Sequence, residues 1–123
     1  MARAQPVFLR LTQIRFPLMA LVSILHRVSG LILVLAMPVF VYFLSQSLHS
    51  AETYQQIADG FDSLIVKLAT ILVIWSFGHH AIAGIRFLLI DFYGKPIQGK
   101  DSARWVLIAS GLVFLLAVIA VLS

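Results

Sequence analysis

Three apolar stretches, each long enough to cross a bilayer, constrain this 123-residue chain more than any other feature. A hydrocarbon core about 30 Å thick needs roughly 20 residues of helix, at about 1.5 Å of rise each. The stretches run from about Pro17 to Leu44, from about Leu64 to Ile90 and from about Trp105 to Leu122. They are continuous runs, without the alternation of barrel strands. Hydrophobic residues make up 61% of the chain and charged residues 11%, with a mean hydropathy of +1.01. A soluble domain averages about 25% charged residues, and a chain this short has too little interior to hide so much apolar surface. A soluble globule, a disordered chain and a secreted disulfide scaffold are thereby excluded. With no cysteine, so are zinc–thiolate sites, iron–sulfur ligation and thiol nucleophiles within this chain. The expected fold is all-α: an integral membrane bundle of three transmembrane helices at about 17–44, 64–90 and 105–122. These form a membrane anchor domain, 17–122, behind an N-terminal segment, 1–16.

Local chemistry suggests the helix ends. Pro17 suits a first turn, where its missing N–H would be unpaired anyway. Asp62 and Ser63 can cap the second helix. Gly94-Lys95-Pro96 ends it, since glycine accepts the left-handed cap and proline cannot continue the helix. Pro38 lies inside the first helix, and neighbours must cover its lost hydrogen bond. The formal net charge of +4 reads as topology, with no nucleic-acid partner. Arg3, Arg10 and Arg15 precede the first span, and Arg86, Lys95, Lys100 and Arg104 cluster at the second connection. The first connection, about 45–63, carries Glu52, Asp59 and Asp62 without Lys or Arg. The positive-inside rule puts the N-terminus in the cytoplasm and the C-terminus in the periplasm. Lys67, the exception, can snorkel outward.

Ionisable residues inside a span are costly and generally face protein. Arg27 lies seventeen residues before Leu44 and His80 sixteen after Leu64, about 25 Å from the outer end of each helix. Two helices of opposite direction thus place them in one layer near the cytoplasmic side. Ser23, Arg27 and Gly30 share one face of the first helix, flanked by His26. Ser76, His80, Gly84, Phe87 and Asp91 share one face of the second, where Gly84 leaves a recess beside an imidazole. Two classes of reading remain open. Imidazole is a good ligand for haem iron, and haem propionates need cationic partners, for which His26 and Arg27 are placed. The chain offers one deep axial ligand, His80, so the other would come from a second subunit. Alternatively, His80 is a helix–helix hydrogen bonder, Arg27 a snorkelling interfacial residue, Ser23 bonded to its own backbone, and Gly84 a packing contact. Arg86 and Asp91 read as an interfacial charge cluster, and His79 as facing a neighbouring helix or lipid headgroups.

The residues Ser23-Ile24-Leu25-His26-Arg27-Val28-Ser29-Gly30 closely resemble the S-x-x-H-R-x-[ST]-G signature of the cytochrome b membrane-anchor family of succinate dehydrogenase. His80-Ala81-Ile82-Ala83-Gly84-Ile85-Arg86, followed by Asp91, resembles that family's H-x-x-x-G-x-R-H-x-x-x-D, with Phe87 where the family has its second histidine. Gln13-Ile14-Arg15-Phe16-Pro17 also looks like the approach to the first helix in bacterial members. The resemblance spans roughly residues 5–94, and the third helix matches only in being apolar. It implies a multi-pass anchor in the bacterial inner membrane, paired with a second membrane-anchor subunit and carrying an iron–sulfur subunit and a flavoprotein subunit. It also implies a shared haem b with His80 as axial iron ligand, and His26 and Arg27 as propionate contacts. Ubiquinone is the implied substrate, with Ser23 and Arg27 as quinone-binding residues. Succinate would be oxidised on another subunit, Ser23 would donate to a quinone carbonyl, and Arg27 would stabilise charge developing on its oxygen. The competing readings are the anchor of a related quinol:fumarate reductase and a haem-free helical scaffold. A transporter subunit fits less well, because the polar residues crowd the inner third and leave no through-path.

Overall fold

The computed structural model describes residues 16–123, whose regular structure is entirely helical. Helix α1 spans Leu18–Ser47, α2 Ala51–Gly60, α3 Leu64–Tyr93 and α4 Lys100–Leu122. Three of them, α1, α3 and α4, are long and apolar enough to cross a membrane. The expected N-terminal segment, with Arg3, Arg10 and Arg15, lies outside the described residues apart from Phe16.

Pro17 stands one residue ahead of α1 as its N-cap, at φ −65°, and its carbonyl accepts from the amides of Ala20 and Leu21. The helix continues through Pro38, although Val34 C=O loses the amide proton that a residue other than proline would supply. The connection at 45–63 holds a short helix, α2, that apolar periodicity does not reveal. A reciprocal cap starts it: Ser50 Oγ accepts from Thr53 N, and Thr53 Oγ1 accepts from Ser50 N, each at 3.1 Å. Thr53 Oγ1 also donates to Gln46 O at 2.7 Å, tying α2 back to α1. At the start of α3, Ser63 occupies the N-cap position, but its side chain makes no capping bond. The helix ends at Gly94, whose φ of +69° is the chain's one left-handed backbone position among the described residues. Helix α4 begins at Lys100, five residues before the apolar run, and its polar first turn carries the Asp101–Arg104 pair at 3.1 Å.

Helix α3 lies between α1 and α4. The buried centre is built of small side chains: Val22 from α1, Ala83 from α3, and Ala103 and Val106 from α4. Most large apolar side chains point outward. This is the arrangement expected where lipid is as apolar as leucine and helices associate by close backbone approach and hydrogen bonds. On the α4 side, His79 Nδ1 lies 2.7 Å from Ser110 Oγ, which donates to Val106 O at 2.6 Å. Arg86 Nε donates to Ser102 Oγ at 2.9 Å. Arg86 is therefore buried against α4, whereas Asp91 is exposed and makes no ion pair among the described residues. The two do not form the charge cluster their spacing suggested, because five residues of helix turn them to different sides.

The tightest point between α3 and α4 is Gly78. A Cβ there would lie 2.6 Å from Val113 Cγ1, and a valine side chain has little rotamer freedom in a helix with which to retreat. Gly78→Ala gains about 1 kcal/mol of helix propensity, but overpacking costs about 1–3 kcal/mol. The substitution is expected to destabilise the chain in detergent, and Val113→Ala in the same chain to restore it. Unfolding of the single and double variants in a denaturing detergent titration checks this.

Candidate functional site

Of the two residues that helix depth places in one layer, His80 lies where α1 crosses α3 and Arg27 does not. Antiparallel helices bring Val22, His26, Ser29 and Gly30 of α1 against Ala83, His80, Gly84 and Phe87 of α3. The crossing is reciprocal. A Cβ on Gly30 would lie 2.9 Å from His80 Cε1, and one on Gly84 would lie 3.4 Å from His26 Nε2. Each glycine thus makes room for the imidazole of the other helix. The two rings stack, with centroids 4.0 Å apart and planes 9° from parallel. Phe87 closes the stack edge-on to His26, at 5.2 Å. The recess read from sequence at Gly84 is therefore where His26 sits.

Hydrogen bonding settles which nitrogen of His80 carries the proton. Its Nδ1 lies 3.0 Å from His26 O and 3.3 Å from Ser29 Oγ. A backbone carbonyl only accepts, so Nδ1 is the N–H nitrogen. Ser29 Oγ spends its own proton on the same carbonyl, at 2.9 Å, and so presents a lone pair to Nδ1. Nε2 of His80 is then an unprotonated nitrogen, with no hydrogen bond among the described residues. This is the form in which imidazole binds a metal, with the other ring nitrogen oriented by a carbonyl. One turn before His80, the hydroxyl of Ser76 is buried and without a hydrogen-bond partner. A free imidazole nitrogen held by its neighbour fits axial ligation of a haem iron.

Ser23 and Arg27 lie about a quarter-turn away from the α3-facing side of α1. Ser23 is half-buried and Arg27 exposed, and neither side chain makes a hydrogen bond or ion pair among the described residues. Gly30, which helix spacing groups with them, belongs instead to the α3 contact. The residues grouped from sequence on the facing sides of the two helices thus divide. His26 and His80 are locked together with Gly30 and Gly84, while Ser23 and Arg27 face outward at the same level. His79, one residue from His80, turns to α4 and stacks on Trp75, with centroids 5.5 Å apart.

Ser29 is the residue that sequence reasoning passes over. It appears in the motif only as a small polar position, yet it is fully buried and touches both ends of the His26–His80 contact. Its spacing of three from His26 puts it on the same side of the helix, but no rule of composition separates it from an ordinary packing serine.

The succinate dehydrogenase cytochrome b556 subunit of Coxiella burnetii is 36% identical over 120 residues, covering 92% of this chain and 93% of its own length. The family described as the succinate dehydrogenase/fumarate reductase transmembrane subunit matches residues 1–121, a span that takes in the paired histidines, the outward Ser23 and Arg27 and all three long helices. On a match of that extent, the chain belongs to the succinate dehydrogenase/fumarate reductase transmembrane subunit family.

Proposed function

We propose that this protein is the haem- and quinone-binding membrane anchor of a succinate:ubiquinone oxidoreductase, working in the bacterial inner membrane with its N-terminus in the cytoplasm. The observation that carries the reading is the His80 imidazole, fixed through Nδ1 and open at Nε2, in the same membrane layer as the uncommitted Ser23 and Arg27. The relative's name, a succinate dehydrogenase cytochrome b556 subunit, supports reading the reaction as succinate oxidation with a b-type haem.

His80 would hold the haem iron through Nε2, and His26 and Arg27 stand at the level for its propionates. When bound, haem b supplies one-electron redox chemistry. A second anchor subunit would supply the other ligand to the iron, since the neighbouring histidines are engaged otherwise: His26 is stacked on the His80 ring, and His79 is turned to Ser110 of α4. The flavoprotein and iron–sulfur subunits oxidise succinate and deliver its two electrons. Ubiquinone takes up these electrons with two protons from the cytoplasmic side to become ubiquinol. Ser23 donates a hydrogen bond to one quinone carbonyl. Arg27, a fixed cation one helical turn away, stabilises the negative charge that develops on quinone oxygen, an interaction strongest where water is excluded. Partner subunits supply that exclusion, because Arg27 is exposed on the isolated chain.

His80→Leu is expected to abolish or reshape the b-type reduced-minus-oxidised spectrum of the purified complex. An unchanged spectrum places the iron on another residue. Ser23→Ala and Arg27→Ala are expected to slow ubiquinone reduction while leaving succinate oxidation by an artificial acceptor near normal. Loss of one hydrogen bond, about 1 kcal/mol, predicts a several-fold effect for Ser23. Loss of a charge stabiliser predicts about 10²-fold or more for Arg27. Parallel loss in both assays indicates failed assembly instead.

A further inference from the structure

We propose that Ser29 is a positioning residue that sets the electron-donating strength of the His80 imidazole, and thereby the reduction potential of the haem that His80 holds. The inference rests on the haem reading above, and concerns a residue to which that reading gives no part.

The argument starts from the load on one oxygen. The carbonyl of His26 accepts the helical amide of Gly30, four residues on. It also accepts the Ser29 hydroxyl at 2.9 Å and the Nδ1–H of His80 at 3.0 Å. Donors that share an acceptor compete for its lone pairs, so the proton of Ser29 weakens what the carbonyl can offer Nδ1–H. The Ser29 oxygen returns part of this as a second acceptor, but at 3.3 Å it is the longer and weaker contact. The net effect of the hydroxyl is to hold back the pull on the Nδ1 proton. Less pull leaves His80 closer to a neutral imidazole. More pull gives it imidazolate character and a more basic Nε2, which favours the oxidised metal.

The surroundings make this lever specific. Ser29 is fully buried, so water does not replace its hydroxyl as a competitor. The stacked His26 ring and the close approach at Gly30 hold the His80 ring in place, so removing the hydroxyl need not release it. A serine retained only for packing would have no such consequence.

The experiment uses the assembled complex, purified with its partner subunits, and reads haem content and midpoint potential by optical redox titration. Ser29→Ala is expected to keep haem at the parental stoichiometry and to move the potential in the negative direction. Ser29→Thr, which keeps a hydroxyl, is expected to restore the parental potential. An Ala variant with full haem and an unmoved or more positive potential overturns the proposal. So does a Thr variant that shifts as far as Ala, since packing rather than the hydroxyl is then responsible. A parental complex without haem overturns the function proposed above, an outcome visible before any variant is made.

Discussion

The interaction on which the arrangement depends is the acceptance of the His80 Nδ1 proton by the backbone carbonyl of His26. Interhelical hydrogen bonds in membranes contribute only about 0.6–2 kcal/mol each, so this bond does not hold the bundle together by strength. It works by direction. A carbonyl in a helix points along the helix axis and cannot swing, so the imidazole must come to it. Fixing that imidazole fixes the rotation of α3 about its own axis. His79, about 100° further round, then faces α4 and meets Ser110. Two adjacent histidines therefore key one helix to both of its neighbours, in a medium where apolar side chains cannot choose between faces.

The glycines make that direction possible. Gly30 and Gly84 each face an imidazole from the opposite helix, and a methyl group on Gly30 would come within 2.9 Å of the His80 ring. Gly30, which forms the helix contact, also borders the open nitrogen of His80, with its Cβ position 3.9 Å from Nε2. Packing and chemistry are thus not separable here. A substitution at Gly30 displaces the His80 ring before it alters any ligand contact, so loss of activity at that position says little about direct participation. The side chains whose roles can be isolated are those that spend no packing on α3, namely Ser23 and Arg27, together with the small hydroxyl of Ser29.

Much of this was legible in the residues, and the reasons are physical. Long apolar runs specify spans because lipid forces the backbone to satisfy itself within a helix, so α1, α3 and α4 follow from length and hydropathy. Depth is legible too, since a constant rise per residue places Arg27 and His80 in one layer. Facing is less so. Gly30 groups with Ser23 and Arg27 at ideal spacing, but the helix crossing selects a side centred between His26 and Ser29. No apolar stripe marks that side when all sides are apolar. Helix α2 is hidden for the opposite reason: it has too few apolar residues to show a period, and a two-residue cap carries its start. The first turn of α4 is charged, so an apolar threshold begins that helix late. The bond from Arg86 to Ser102 joins residues sixteen apart through a turn, and local spacing offered Asp91 as the simpler partner.

One imbalance of polar groups runs through the bundle. The His26 carbonyl, the Ser29 hydroxyl and His80 Nδ1 satisfy one another and Arg86 Nε finds Ser102, although Ser76 Oγ, His79 Nε2 and one terminal nitrogen of Arg86 stay buried without partners. Arg27 finds nothing among the described residues, and it stands well inside a span. An arginine at the centre of a bilayer costs at least about 2.5 kcal/mol, and Arg27, which lies off the centre, carries part of that cost. Folding of this chain alone does not recover that cost. Snorkelling towards the nearer membrane surface recovers part of it, and a counter-charge or a dry polar ligand recovers more. Ser23, one turn closer to that surface and equally uncommitted, makes the second alternative a shaped one, with a neutral donor and a cation on one strip of helix. On the quinone reading proposed above, a flat molecule with two carbonyl oxygens can engage both groups within the span, whereas a lipid phosphate would draw Arg27 out to the headgroups. The unspent polarity of α1 is thus a cost that packing against α3 and α4 does not offset.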